Sequence, residues 1–189
     1  MLRTNLHFLA FFEELYLEQT TGIQNIVVKK FPKNSFLLTQ GSPLTELVII
    51  RAGATKCYFS EENGKDFIVE FLGAGEIAGE IEVLKSRSCL CNIVALTEVE
   101  AYSVKIPFFK TLLTKNLDLN RHLLDVLAER IIHTSSRSSS QQLYTTEYGL
   151  AKMLEFQEQQ NLEISKEDMA AYLGITVRSL NRTLKQLKL

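Results

Sequence analysis

Ile164-Ser-Lys-Glu-Asp-Met-Ala-Ala-Tyr-Leu-Gly-Ile-Thr-Val-Arg-Ser-Leu-Asn-Arg-Thr-Leu-Lys-Gln-Leu187 reads as two short helices joined at Gly174. Ser165 is a good N-cap, with Asp168 following at the spacing of a capping box. Met169, Tyr172 and Leu173 form the apolar side of the first helix, and Gly174 suits the left-handed turn that ends it, having no Cβ to clash. Thr176 can cap the second helix. There Val177, Leu180, Leu184 and Leu187 recur at helical spacing and face a core, while Arg178, Arg182 and Lys185 recur on the opposite side with Ser179 and Asn181 beside them. Cations suit phosphates; amide, hydroxyl and guanidinium groups suit base edges in a major groove. A basic stripe on an isolated helix is more often a solvated face, but two capped helices hinged at a glycine favour nucleic acid. Arg178, Ser179 and Asn181 are the candidates for base edges. Ser165, Thr176, Arg182 and Lys185 are the candidates for phosphates, with Arg182 also able to read a guanine.

The remainder of the chain bounds that reading. Its 189 residues suffice for one large or two small domains, and a charged content of 23% with 46% hydrophobic residues is that of a soluble globular protein. The net charge is −1, so any affinity for a polyanion must come from a local patch such as the one above. No apolar run approaches the ~20 residues of a membrane span. The start, Met1 to Glu14, turns acidic too soon for a signal peptide. Cys57, Cys89 and Cys91 are an odd number without framework spacing, which fits reduced thiols and a cytoplasmic protein. His7, His122 and His133 are scattered, and no catalytic or phosphate-cradling motif emerges, so neither an enzyme nor a metal site is expected.

Leu6, Leu9, Phe12 and Tyr16 predict a helical lead-in. From Ile23 to Val104 the texture changes to short β runs at Asn25–Phe31, Ser35–Thr39, Glu46–Ile50, Thr55–Phe59, Asp66–Phe71 and Asn92–Val104, the last split at Glu98. Asn63-Gly64 is the clearest hairpin signal, since this pair accepts positive φ at both central turn positions. Many short strands with close turns predict an antiparallel sandwich or barrel. Pro107 opens a helical region. Leu117, Leu124, Leu127 and Ile131 then fall on heptad positions, either pairing with another helix or packing on the chain's own β domain. The run His133-Thr-Ser-Ser-Arg-Ser-Ser-Ser140 is a linker or a continuation of that helix. A further helix spans Tyr148 to Phe156, ending in the polar break Gln157–Asn161.

Phe31-Pro-Lys-Asn-Ser-Phe-Leu-Leu-Thr-Gln-Gly-Ser-Pro43, Arg51-Ala-Gly53, Glu62-Asn-Gly64, Phe71-Leu-Gly-Ala-Gly-Glu-Ile-Ala-Gly-Glu80 and Ala95-Leu-Thr-Glu-Val-Glu-Ala101 resemble the successive landmarks of a cyclic-nucleotide-binding β-roll. Thr176-Val177-Arg178-Ser179-Leu180-Asn181-Arg182 resembles the start of the reading helix in the Crp/Fnr family of bacterial regulators, with Arg182 matching its final arginine and Val177-Arg178 replacing its Arg-Glu pair. Gly79-Glu-Ile-Glu82 and Tyr172-Leu-Gly174 are most similar to the YeiL-like branch. The resemblance implies an α+β protein: a jelly-roll-like β-roll sensor over residues 1–108, a central dimerisation helix and hinge over 109–142, and a helix-turn-helix of winged-helix type over 143–189. The family continues into a β-hairpin wing past the position of Leu189, so a truncated reader is expected. Leu117, Leu124, Leu127 and Ile131 would form the dimer seam. The implied partners are operator DNA, a second copy of the chain, RNA polymerase and an unidentified small-molecule effector.

The same resemblance places an effector beside Gly79 and Glu80, with Glu80 taking a ribose hydroxyl, and Ser135 and Ser136 reaching it from the long helix. The family's phosphate-binding Arg-Ser falls here on Cys89-Leu90, while Arg87-Ser88 lies two residues too early unless a bulge restores it. A buried phosphate without a cation is costly, so the expected effector is not a cyclic nucleotide, or there is none. Side chains of Cys89 and Cys91 on one strand would share a face, and Cys57 could join them only if the fold brings it close. They read as small buried hydrophobes, with thiol-based redox sensing as an alternative. The other alternative is a sensor module whose DNA reader is vestigial.

Overall fold

The computed structural model describes residues 2–19 and 24–187. Ile23, where the strand-rich texture begins, and the chain end at Leu189 lie outside the described residues. A short strand β1 (Leu2–Arg3) leads into α1 (Leu6–Leu17), whose N-cap Asn5 accepts the Phe8 amide at 2.9 Å. Two β-sheets follow, built from β2 (Ile26–Phe31), β3 (Phe36–Leu38), β4 (Glu46–Ala52), β5 (Thr55–Ser60), β6 (Asp66–Leu72), β7 (Ile77–Ala78), β8 (Asn92–Ala95) and β9 (Val99–Lys105), with the short helix α2 (Glu80–Lys85) after β7. The sheets run β1-β6-β5-β8-β3 and β2-β9-β4-β7. All pairings are antiparallel except β1 with β6. β4 is buried on both faces from Leu47 to Ile50, as a strand between two apolar layers must be.

The expected strands are present, and the split at Glu98 falls between β8 and β9. Strands β1 and β7 are too short to show a period in the sequence; they exist because β6 and β4 offer them a partner. The turn between β5 and β6 corrects the reading of Asn63-Gly64. Only Gly64 has positive φ, at 74°, and its amide bonds Glu61 O at 2.9 Å while the Glu61 amide bonds Lys65 O at 2.9 Å. This is a type I turn closed by a left-handed glycine, which needs one residue at positive φ instead of two.

Helices α3 (Ile106–Lys115) and α4 (Leu117–Leu143) carry the chain away from the β-roll. The serine run thus continues α4. Leu119, Leu123 and Val126 of α4 are buried in one core with Phe8, Phe12 and Phe109, so the start of the long helix is fixed by the α1 aromatics. On its far side Leu117, Leu124 and Ile131 are about two-thirds exposed (72%, 68% and 68%). Leu127 departs from the expected seam: it is half-buried and packs on the chain's own core. The outward row runs 117, 121, 124, 128, 131, 135, and a helix at 3.6 residues per turn carries position 127 round towards the body.

Helices α5 (Thr146–Gln160), α6 (Lys166–Leu173) and α7 (Val177–Gln186) form the C-terminal unit. Its core of Leu150, Met153, Phe156, Ile164, Met169 and Leu180 is continuous with Ile68 and Phe71 of β6. The Phe71 ring stacks between Phe156 (5.7 Å) and Tyr172 (5.3 Å). A hydrophobic face that no local pattern assigns to a partner is thereby closed against the β-roll.

Candidate nucleic-acid interface and sensor cavity

The C-terminal pair is capped as its residues dictate. Ser165 Oγ accepts the Asp168 amide at 3.0 Å, Gly174 ends α6 at φ 69°, and Thr176 Oγ1 accepts the Ser179 amide at 3.1 Å. Asp168 does not complete a capping box; its carboxylate pairs with Lys56 of β5, which ties α6 to the β-roll. On α7, Leu180 and Thr183 are buried, and Val177, Leu184 and Leu187 are half-buried against the same core. Arg178, Arg182 and Lys185 are exposed. Among the described residues none of these three meets a carboxylate; Arg182 touches only Ser179 Oγ, at 3.5 Å. Ser165 and Thr176 are exposed, and Ser179 and Asn181 half-buried, the latter nearer the core than a free base reader would be.

A cleft of about 710 Å³ lies between the α6–α7 pair and the β5–β6 hairpin, lined by Glu61, Lys65 and Asp66 of the hairpin, Glu167 and Asp168 of α6, and Thr176 and Ser179 at the start of α7. The end of α7 that a groove would receive thus faces carboxylates of its own chain.

The second cavity lies inside the β-roll. It holds about 100 Å³ and is lined by Leu38, Phe59, Leu72, Ile93, Cys57, Cys91, the Gly79–Glu82 segment, and Arg130 from α4. Gly79 sits at φ 98°, and a Cβ there would lie 3.1 Å from Leu44, so the turn that aims Glu80 inward requires glycine. Glu80 is 1% exposed. Arg130 donates to Glu80 Oε1 and the Ile77 carbonyl and lies 3.5 Å from Glu76 Oε2. Arg3 joins the network at 2.8 Å from Glu70 and 3.3 Å from Glu76. Burial pushes the Glu80 carboxyl up, against the pull of Arg130. Burial also disfavours the Arg130 charge, but Glu80, Glu76 and Glu70 outweigh it and hold the guanidinium firmly protonated. Glu80 Oε2 and Arg130 Nε are buried without a partner.

The other effector candidates are not brought to this cavity. Arg87 and Ser88 line an outer groove with Pro43 and Lys110, because α2 ends at Ser86 in a left-handed turn that carries them outward. Ser135 and Ser136 are exposed on α4, beyond the roll. The strand position that the Arg-Ser pair would occupy is taken by Cys89, whose amide bonds Ser42 O at 2.9 Å, and Leu90, whose amide bonds Glu82 Oε1 at 2.7 Å.

Residues 28–116 match the cyclic nucleotide-binding domain family. The chain is 25% identical over 174 residues to the cAMP-activated global transcriptional regulator CRP of Pasteurella multocida, covering 85% of this chain and 82% of that protein. It is 24% identical over 184 residues to the anaerobic regulatory protein of the same organism, covering 90% of this chain and 67% of that one. The chain is thus similar to Crp/Fnr-type transcriptional regulators over most of its length. The fold agrees. The c-di-GMP responsive global regulator CLP of Xanthomonas campestris superposes with a TM-score of 0.78 at 16% identity, over 97% of this chain and 92% of that one. A Crp/Fnr-family regulator from Eubacterium rectale gives 0.78 at 14% identity, over 92% and 86%.

Two arginines of α4 escaped the sequence reading. Arg130 closes the cavity. Arg137 bonds the Val69 carbonyl of β6 and the Tyr172 carbonyl of α6, with its guanidinium 3.9 Å from the Tyr172 ring centre and 5.0 Å from that of Phe67. A signal was present: Leu119, Leu123, Val126, Arg130 and Arg137 share one helical face, on which the arginines continue the buried row. Among the described residues no group of histidines, cysteines and carboxylates is arranged to hold a metal, and no helix is long and apolar enough to cross a membrane.

Proposed function

We propose that the chain is a homodimeric, DNA-binding transcriptional regulator. Arg178, Ser179 and Asn181 would read base edges, and Ser165, Thr176, Arg182 and Lys185 would hold phosphates, with Arg182 also able to read a guanine. The observation that carries it is the division of α7: Leu180 and Thr183 face inward while three cations without carboxylate partners face out. That is the charge geometry of a helix lying along a polyanion. The exposed row Leu117, Leu124 and Ile131 supports pairing with a second copy, because apolar side chains at heptad spacing on a 27-residue helix are left uncovered by the described residues.

The cavity supports an effector other than a cyclic nucleotide. It is smaller than the roughly 300 Å³ and upward typical of small-molecule pockets, Glu80 already bonds Arg130, and among the described residues no free cation lines it. Arg130 and Arg137 lie on one helix; Arg130 grips the roll, and Arg137 grips both β6 of the roll and α6. An effector that draws Glu80 away from Arg130 would shift the population of α4 arrangements, and with it the spacing of two reading helices. RNA polymerase is a further partner in this reading.

A salt series on an operator fragment selected from random duplexes tests the DNA reading. Log affinity should fall linearly with log salt, with a slope of about −0.9 per phosphate neutralised. A flat salt response, or no enrichment of any sequence, would leave the reader vestigial. Replacing Leu124 and Ile131 together by aspartate should yield monomers in sedimentation; an unchanged oligomer would remove the α4 seam.

A further inference from the structure

The fold settles which cysteines meet. Cys89 is buried at the edge of the roll near Glu82. Cys57 of β5 instead lies against Cys91, at the entry to β8, with their Sγ atoms 2.9 Å apart. The strands set this contact: Cys57 pairs with Ile93 in the β5–β8 ladder, and Cys91 is the next residue along on the same face. Both sulfurs line the cavity that receives Arg130 and Glu80. Closing from 2.9 Å to the roughly 2.05 Å of a disulfide needs a movement of only about 0.9 Å. Cys91 precedes the regular strand, so its backbone is not held on both sides by the ladder.

We propose that Cys57 and Cys91 form a reversible dithiol–disulfide modification site inside the sensor cavity, oxidised by peroxide. Both thiols are half-buried, and Cys91, which lies just before the regular strand while Cys57 is held within β5, attacks first. Its sulfur takes one peroxide oxygen, the O–O bond breaks, and hydroxide leaves with a proton as water. Cys57 is the resolving thiol. Its contact with Cys91 and its burial hold it well above the ordinary thiol range, so it keeps its proton until the sulfenic acid forms beside it. The Cys57 sulfur then displaces hydroxide from Cys91, which departs with the Cys57 proton as a second water. Two thiols and one peroxide thus give one disulfide and two waters, and a dithiol reductant reverses the step. The bond would cross-link β5 to the start of β8 on the wall facing Arg130, the residue through which α4 grips the roll.

The test uses the whole protein without DNA, so its failure is separate from that of the DNA reading. The reduced protein is treated with one equivalent of hydrogen peroxide, denatured, alkylated with N-ethylmaleimide, digested and weighed. Reactive thiols should fall from three to one, Cys89 alone remaining. The intact chain should lose the mass of two hydrogens, a peptide joining Cys57 to Cys91 should appear, and dithiothreitol should restore all three. In Cys57→Ser, dimedone should label Cys91. Three persistent thiols, a link involving Cys89, a bond between two chains, or Cys91 passing to sulfinic acid while Cys57 stays free would each overturn the proposal.

Discussion

The cations of the β-roll cavity and those of α7 are opposites. Arg130 is wrapped by Glu80, Glu76 and a carbonyl within the roll. Arg178, Arg182 and Lys185, all exposed on α7, meet no carboxylate among the described residues. In the first place a charge is satisfied internally and acts on structure. In the second it is left for a partner. A buried ion costs several kcal/mol unless paired, whereas an exposed one loses little by waiting in water. The same residue type is therefore consumed in a clamp at one site and left open at the other, and burial decides which.

The largest effect should come from removing the clamp. Arg130→Ala leaves Glu80 buried and unpaired, and should cost about 3–5 kcal/mol of unfolding free energy in urea. The paired replacement Arg130→Met with Glu80→Leu should be close to neutral, since two apolar groups can fill the site that two charges shared. A loss below about 1 kcal/mol in the single variant would mean that the network in the roll does not hold α4.

On the reading helix the effect moves from stability to binding. Arg182→Ala should weaken binding to a selected operator by about 1–3 kcal/mol if the guanidinium is bidentate to a base, with unfolding unchanged. An identical footprint and affinity would remove its assignment. Lys185→Ala should be milder, weakening all sequences alike and reducing the salt slope by about 0.9. Increased sequence discrimination loss in that variant would show that Lys185 reads a base after all.

The smallest effect is the pH response of Glu80. Its folded-state pKa is raised by burial, so below the unfolded-state value its contribution favours folding, and that contribution is lost as pH rises through the folded pKa. Wild type compared with Glu80→Gln should therefore gain relative stability as pH falls from neutral towards the usual glutamate range. A difference that stays flat over that window would mean the carboxylate is charged throughout, and a relative loss of wild-type stability would mean Arg130 dominates.

Much of the architecture was legible before any coordinates. Strand runs, glycine turns, the caps Ser165 and Thr176 and the divided faces of α7 are local patterns, set by propensities and periods that act within a few residues. The candidate DNA residues came from the same source, and the fold leaves Arg178, Arg182 and Lys185 exposed. The cavity was legible only as far as Gly79 and Glu80. Arg87-Ser88 read as possible lining, but the left-handed turn at Ser86 takes the pair outside. Leu127 read as seam, but one position of helical drift turns it to the body.

By itself the sequence determined that strands precede helices, that a capped pair of helices ends the described chain, and that its last helix is basic on one side. Tertiary structure alone decided that Arg130, fifty residues from Glu80, closes the cavity, that Phe71 receives the reader between Phe156 and Tyr172, and that Cys91 meets Cys57 instead of Cys89. The physical reason is common to all three. Each contact joins side chains far apart along the chain, and what brings them together is sheet register and the packing of a whole helix face, neither of which is written in the spacing of nearby residues.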